Sequence, residues 1–466
     1  MFFMFRQLNQ TKKIPTSLLK KYDFNGPRYT SYPTANNLKD LPSNQVLDSI
    51  FRSVENQNKH KIYDLYIHIP FCRSLCYYCG CNKIITRHSF VATEYLAYLS
   101  KEWDLYKEIS SNRIKLNSIH LGGGTPTFLN DEQLSFLHNI YLKDLVSEDA
   151  EQSIEVDPRT VDEARLRHIK SLGFNRISFG IQDLDTKVQI SINREQNYRQ
   201  ILDLIIISRM LDFKSINVDL IYGLPNQTLA TFESTLNKII DLRPDRIALY
   251  SYAHMPSLFK SQKLMDENSI PSAEVKISMF QDAIKLFTMS GYNYIGMDHF
   301  ALPDDELSIA KKQGRLHRNF QGYTTNLYET IGLGISSISQ YHSHYLQNTK
   351  YIPDYYKAID DNRLPIQKGI SLNMDDLIRR AIIVDIMSHG FIVKRVYEDA
   401  FQIDFDIYFR DELFRLIDFE RDGLLRIADD EITITDLGWF FIRPIAMIFD
   451  QYLHVDRQKE QFSKVI

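Results

Sequence analysis

Six short runs of β-forming residues, each closed by a polar or Gly/Pro turn, constrain the fold of this chain more than any other feature. They cover residues 63–69, 118–121, 153–156, 176–181, 216–222 and 246–252. Segments with helical periodicity fall between them, at 93–108, 131–145, 161–172, 197–211 and 229–242. Such alternation predicts a parallel sheet with helices packed on it. Six units fit a partial (β/α)6 TIM-like barrel, with a doubly wound sheet as the alternative. In both, ligands bind at the carboxyl ends of the strands. Thr160 is expected to cap the helix at 161–172, and Gly173 to end it.

The flanks read differently. Residues 1–55 form an extension that contains Pro27 and Pro33 and shows little periodicity. After residue 370 come apolar helical stretches at 377–387 and 412–419 and a hairpin of 423–427 with 432–435 through Asp429 and Asp430. A further apolar stretch lies at 437–449. The expected organisation is an N-terminal extension (1–55), a barrel domain (56–365) and a C-terminal domain (366–466) of helices with a small antiparallel sheet.

Net charge is −4 and no basic block runs beyond a few residues. That argues against nucleic acid as a main partner. The apolar start, Met1 to Phe5, is cut short by Arg6 and is too brief for a secretory signal. No stretch approaches about 18 uninterrupted apolar residues. The expectation is a soluble, cytoplasmic protein whose cysteines stay reduced.

All four cysteines lie within ten positions: Cys72, Cys76, Cys79 and Cys81. Directly after the first strand, Cys72, Cys76 and Cys79 form a C-x3-C-x2-C pattern. Three thiolates on one loop suit three irons of a [4Fe–4S] cube and leave the fourth iron open to another ligand. Cys81 follows Cys79 after a single glycine, and one loop is not expected to reach all four corners. A structural zinc site normally draws on two separated cysteine pairs. From spacing alone, zinc and a purely electron-transferring four-cysteine cluster stay open as alternatives.

The cysteine spacing, with Tyr78 just before the last ligand, resembles the radical S-adenosylmethionine (SAM) superfamily. The longer string from Tyr66 through Cys72, with Cys79-Gly80-Cys81-Asn82-Lys83, resembles one branch of it, the oxygen-independent coproporphyrinogen III oxidases. The likeness extends over nearly the whole chain: 27–35 (PRYTSYPTA), 122–127, 155–159, 178–183, 193–196, 219–225, 252–256, 317–325 (HRNFQGYTT) and 332–339. Related haem chaperones without oxidase activity are the alternative. They lack the Cys-Gly-Cys-Asn-Lys ending and the long N-terminal extension, both present here.

The resemblance implies a radical SAM catalytic domain with a [4Fe–4S] cluster on Cys72, Cys76 and Cys79 and two SAM molecules. Tyr66, Gly123, Glu155 and Ile338 go with the first SAM. Tyr78, Gly124, Thr125, Gln182, Arg194, Asp219 and Ala253 go with the second. Read alone, Gly122-Gly123-Gly124 is a tight turn or a close backbone approach to a ligand. Glu155 and Asp219 alone are acids at strand ends, and Arg194 alone is an arginine at the start of a helix. Tyr66, Ala253 and Ile338 are indistinguishable from core. Single histidines such as His68, His254, His299 and His317 are more often structural than catalytic.

The implied reaction is oxidative decarboxylation of the ring A and B propionates of coproporphyrinogen III, giving protoporphyrinogen IX in haem biosynthesis. A 5′-deoxyadenosyl radical from SAM takes the hydrogen. The implied partners are an electron donor of flavodoxin or ferredoxin type and an electron acceptor that the sequence does not name. Neither nucleic acid nor membrane is implied, and the chain is expected to be a monomer. Residues 1–55 are expected to close over the barrel mouth, with Arg28 pairing a propionate.

Overall fold

The computed structural model describes residues 14–41, 62–110, 113–146 and 150–453, with 462 and 464. Six parallel strands form its centre: β1 (Ile62–Ile69), β2 (Lys115–Gly123), β3 (Glu151–Val156), β4 (Arg176–Gln182), β5 (Ser215–Tyr222) and β6 (Arg246–Ser251). They pair in chain order, β1 to β6, each parallel to the next. A doubly wound sheet would reverse its order partway. The unbroken order is that of a barrel wall, as the strand–helix alternation predicts.

Each strand keeps two faces because side chains alternate along it. One face is apolar and fully buried: Leu65, Ile67, Leu121, Ile154, Ile181, Leu220 and Leu249. It packs on Leu99 and Trp103, on Leu134, on Leu166 and on Leu236, from the helices Phe90–Ile109, Asp131–Tyr141, Glu163–Ser171 and Leu229–Leu242. Each such side chain contributes roughly 1.5–3 kcal/mol. The other face, with Tyr66, His68, His120, Ser153, Glu155, Ser178, Asn217 and Asp219, looks into the barrel and is cross-linked by hydrogen bonds.

The sheet extends past both ends of the six. Beyond β1, Glu329–Leu333 runs parallel to it, followed by antiparallel Ile338–Gln340, His344–Asn348, Ile366–Ser371 and Lys39–Asp40. Beyond β6 come His299–Ala301 and Asn293–Gly296. Ile366–Ser371, the start of the C-terminal segment by sequence, thus belongs to the central sheet.

The C-terminal unit contains the helices Met374–His389 and Arg410–Arg421 and a small antiparallel sheet of Phe391–Val393, Glu431–Ile434 and Leu425–Ile427. The apolar stretch at 437–449 is not one helix. It breaks into Gly438–Phe441, Ile442–Ala446 and Met447–Phe449, with Pro444, which lacks a backbone N–H, in the middle turn. Ile14, Leu18, Leu19, Tyr22, Tyr29 and Tyr32 of the N-terminal segment join the core of this unit. Residues 1–13 and 42–55 of the expected extension lie outside the described residues. Among the described residues no helix is long and apolar enough to cross a membrane.

The expected cap at Thr160 is corrected. Thr160 ends a short 3-10 turn, and its hydroxyl is taken by the Asp157 carbonyl at 2.8 Å. Asp162 caps the helix Glu163–Ser171 instead, accepting from the Arg165 N–H at 2.9 Å. Gly173 follows the helix with φ of +96°, where only glycine is free of strain.

Glu102 ties the helix Phe90–Ile109 to the sheet edge. Its carboxylate is fully buried and accepts from Gly334 N–H (2.8 Å), Tyr355 O–H (2.6 Å) and Asn348 Nδ2 (2.7 Å). Burial pushes this carboxyl from 4.5 up to about 7, the hydrogen bonds opposing only in part. The folded chain therefore holds a proton that the unfolded chain has released between these two values. The stability contributed by this group is greatest below 4.5 and falls as pH rises toward 7. Replacing Glu102 with Gln should flatten the pH dependence of urea unfolding over that window, by on the order of 3 kcal/mol relative to the parent chain. Equal slopes for the two proteins would contradict this.

Candidate active site

The loop after β1 carries the cysteines, and contacts from four directions pin it. Phe71–Cys72 pairs in parallel with Ile84–Ile85. The His68 ring bonds the Asn82 carbonyl at 2.8 Å. Asn193 Nδ2 donates to the Leu75 carbonyl at 2.8 Å, and Tyr77 N–H to the Ile192 carbonyl at 3.0 Å. Gln262 Nε2 donates to the carbonyls of Tyr78 (3.1 Å) and Ala253 (3.0 Å), joining this loop to the one after β6.

Two glycines at the end of β2 let this loop lie close. Gly123 has φ of +111°, and a Cβ there would sit 2.6 Å from the His68 ring. A Cβ on Gly124 would meet the Pro70 carbonyl group at 2.7 Å. Gln182 closes β4 at φ of +70°, a left-handed conformation costing about 1 kcal/mol or more for a residue with a Cβ.

Cys72, Cys76, Tyr78, Cys79, Gly123, Gly124, Thr125, Glu155, Gln182, Arg194 and Asp219 all line one cavity of about 430 Å3 at the carboxyl ends of the strands. Cys81 lines it as well and is exposed. Three of the residues singled out from sequence are not among those lining the cavity. The Tyr66 ring stacks on His120, which reaches Glu155 at 3.3 Å. Ala253 is held by Gln262, as above. Ile338 packs its backbone against Gly332, the β1 neighbour of Tyr66.

A network of charges surrounds the sulfurs. Asp157, at the end of β3, accepts from Arg159 Nη2 (2.7 Å) and Arg194 Nη1 (3.1 Å). The same two nitrogens reach Cys76 Sγ, at 3.7 and 3.4 Å. Burial would raise the Asp157 carboxyl, but Arg194 and Arg159 outweigh it and hold it below its usual range. Burial also opposes the charge on Arg194, and Tyr78, Asp157 and Cys76 more than offset that. Arg194 lies in the turn before the helix Tyr198–Met210 and is 7% exposed, so it is not a helix-surface residue. Its Nε is buried without a hydrogen-bond partner among the described residues.

The sulfurs differ in their ease of ionisation. Burial pushes the Cys72 thiol up to about 11, only partly countered by the Thr125 hydroxyl at 3.3 Å. A hydrogen bond from Cys81, with help from Lys83, brings Cys79 down to about 6. Deeper in the lumen, burial raises Asp219 to about 6, assisted by Glu155 and opposed by Ser178 and Asn217.

An iron–sulfur cube fits this donor set. Among the described residues, no three His, Cys, Asp or Glu side chains converge on a point able to hold a single metal ion. A cube binds each thiolate to a different iron, and Cys72, Cys76 and Cys79 on one loop can each serve one. The arginines at Cys76 suit an anionic cluster. Sequence reasoning gave no role to Asp157, Arg159, Ser178, Tyr250 or Gln262. Asp157-Pro158-Arg159 stands out only as a motif closing β3.

A model of the radical SAM superfamily matches residues 66–239. The oxygen-independent coproporphyrinogen III oxidase of Salmonella typhimurium is 41% identical over 97% of this chain and 98% of its own. That of Synechocystis is 43% identical over 98% and 99%. The solved coproporphyrinogen III oxidase of Escherichia coli, a radical SAM enzyme, superposes with a TM-score of 0.88 at 39% identity, covering 95% of this chain and 100% of that one. End-to-end agreement of this kind, on a chain whose cysteine loop lines a cavity at the carboxyl ends of barrel strands, has one conclusion: the chain belongs to the oxygen-independent coproporphyrinogen III oxidase family.

Proposed function

We propose that this chain converts coproporphyrinogen III to protoporphyrinogen IX without oxygen, by oxidative decarboxylation of the ring A and B propionates in haem biosynthesis. The observation that carries this reading is the meeting of Cys72, Cys76 and Cys79 with a polar barrel lumen in one cavity, within a chain aligned end to end with such oxidases. When bound, the cluster and SAM together supply a 5′-deoxyadenosyl radical strong enough to take hydrogen from an unactivated carbon.

The chain's own residues supply placement. Cys72, Cys76 and Cys79 would hold the cluster. Arg159 and Arg194 would steady Cys76, and Thr125 would steady Cys72. Glu155 has one oxygen on the Gly123 N–H (3.2 Å) and the other near His120, an arrangement suited to the ammonium of a first SAM. Tyr66 and Ile338 belong to that side.

A second SAM fits the other wall. Arg194 keeps Nε for a carboxylate, Tyr78 offers a ring face, and Asp219 has the acceptors a ribose needs. Gly124, Thr125, Gln182 and Ala253 complete that wall. Arg28 Nη2 donates to the Ser251 carbonyl at 2.5 Å, at the end of β6. That position supports the reading that the N-terminal segment closes the barrel mouth. The reading includes a cytoplasmic monomer served by a donor of flavodoxin or ferredoxin type.

Reconstituted protein given dithionite, SAM and coproporphyrinogen III without oxygen should release two molecules of carbon dioxide per substrate, seen by product mass. SAM cleavage with no change in the tetrapyrrole would refute the reading. Serine at Cys72, Cys76 or Cys79 should abolish both cluster absorption and turnover. Cys81→Ser should keep the cluster, and iron loss in that variant would reassign Cys81 as a ligand. Asp157→Asn leaves a buried guanidinium, that of Arg194, and a half-buried one, that of Arg159, without their shared carboxylate. It should lower unfolding stability by on the order of 3 kcal/mol, read by urea titration.

A further inference from the structure

The hairpin of His317–Asn319 and Gly322–Thr324 carries a buried cation with unused bonding capacity. Arg318 is 7% exposed. Its guanidinium lies 4.7 Å over the Tyr323 ring and also reaches the Tyr323 hydroxyl. Its Nε and Nη1 have no hydrogen-bond partner among the described residues. The nearby acid, Asp298, is engaged by His299 Nδ1 at 2.6 Å. A buried guanidinium with two open donors is costly unless an acceptor arrives.

Arg318 borders a second cavity, of about 650 Å3, larger than the one at the cysteines. Tyr328, Tyr341 and Tyr345 give it aromatic walls, and Arg380 adds a second cation. Its two acids are already engaged: Glu329 by the His342 N–H and Asp385 by the Tyr397 hydroxyl. Exposed Leu327 and Met374 lie at its edge, so the cavity opens to solvent. Ring contacts lead from here to the cysteine cavity. Tyr323 packs on His299 at 5.2 Å, and His299 on Tyr250 at 6.0 Å. Tyr250 lines the cysteine cavity.

We propose that Arg318 anchors the substrate, taking a propionate that does not react in a bidentate pair, so that the macrocycle reaches along the Tyr323–His299–Tyr250 wall toward the cysteine cavity. The ligand chemistry is a carboxylate on a flat or flexible apolar body. A guanidinium fork matches a carboxylate edge to edge, and the tyrosine walls suit pyrrole faces. The proposal rests on the coproporphyrinogen reading and deepens it. Arg318 acts here by positioning, far from the broken bond.

The test compares the parent chain with Arg318→Gln and Arg318→Lys. Fluorescence titration uses coproporphyrin III and its tetramethyl ester, which has the same ring system without carboxylates. Arg318→Gln should weaken the tetra-acid by about 10- to 100-fold and leave the ester unchanged. Arg318→Lys should recover part of the loss. In turnover, KM should rise far more than kcat falls, with substrate-free SAM cleavage unaltered. The ligand-free Arg318→Gln protein should melt close to the parent, the lost attraction to Asp298 being set against removal of a buried cation with open donors.

Equal tetra-acid affinity in parent and variant, or equal loss for acid and ester, would overturn the proposal. A variant that melts well below the parent would also overturn it and place Arg318 in the framework. A parent chain that cleaves SAM yet leaves coproporphyrinogen III untouched would instead refute the functional reading itself.

Discussion

Asp157 is the carboxylate on which the geometry of the cysteine cavity depends. Two guanidinium groups as close as those of Arg159 and Arg194 would repel each other, and both stand near an electron-rich sulfur. One shared carboxylate lets them coexist and aims a nitrogen of each at Cys76 Sγ. Buried ion pairs seldom add much stability over apolar packing, but they fix direction. Direction is what this place requires. Asp157 comes from the end of β3, Arg194 from the turn after the short helix Thr186–Ser191 that follows β4, and Cys76 from the loop after β1. The Asp157 network therefore locks three strand ends in register around one sulfur.

The barrel separates two kinds of cohesion by simple alternation. Side chains facing the helices are aliphatic and fully buried, and they supply the folding energy. Side chains facing the lumen are polar and mostly partnered with one another, as in the chain Tyr66–His68 and the group Ser178, Asn217 and Asp219. A lumen satisfied in this way costs little to bury. Exceptions therefore stand out. Arg194 Nε and Arg318 Nε and Nη1 have no partner among the described residues, and both arginines line cavities.

Local features of this fold were legible in the chain, and long-range ones were not. All six barrel strands were readable, because an apolar run with β-branched residues has few alternatives. Their true extents, such as Lys115–Gly123 against 118–121, run into polar residues that pair only because neighbours are present. The helix Leu229–Leu242 was readable to the residue from its periodicity, and the structure adds a cap at Thr228. The cap at Asp162 was missed, because Thr160 is an equally good capping residue until the Asp157 carbonyl claims its hydroxyl. The C-terminal stretch 437–449 hid its breaks behind uniform hydrophobicity. For the site, the cysteine spacing and the glycine turn were self-announcing. Asp157 and Arg159 passed as an ordinary strand-closing motif, since their partner Arg194 is over thirty positions away. Nothing local distinguishes Arg318 from any arginine in a hairpin.

Charge balance around Asp298 shows why a polyanionic substrate suits this chain. Burial would raise the Asp298 carboxyl, yet His299, Arg318 and Arg28 overwhelm it and hold it well below the usual carboxylate range. Three arginines, Arg28, Arg318 and Arg443, thus crowd about one carboxylate. Among the described residues, Arg443 donates to the carbonyls of Pro27, Gly26 and Lys464. Burial, reinforced by Arg28 and opposed by Tyr222, Asp298 and Tyr29, brings its guanidinium down to about 9. Surplus cations fixed in a low-dielectric setting attract anions more strongly than the same groups in water. A tetrapyrrole with four carboxylates sheds much of its hydration on entry, and prearranged guanidinium groups replace that water without further reorganisation. On the functional reading proposed above, these prearranged guanidinium groups would select and orient an acidic substrate.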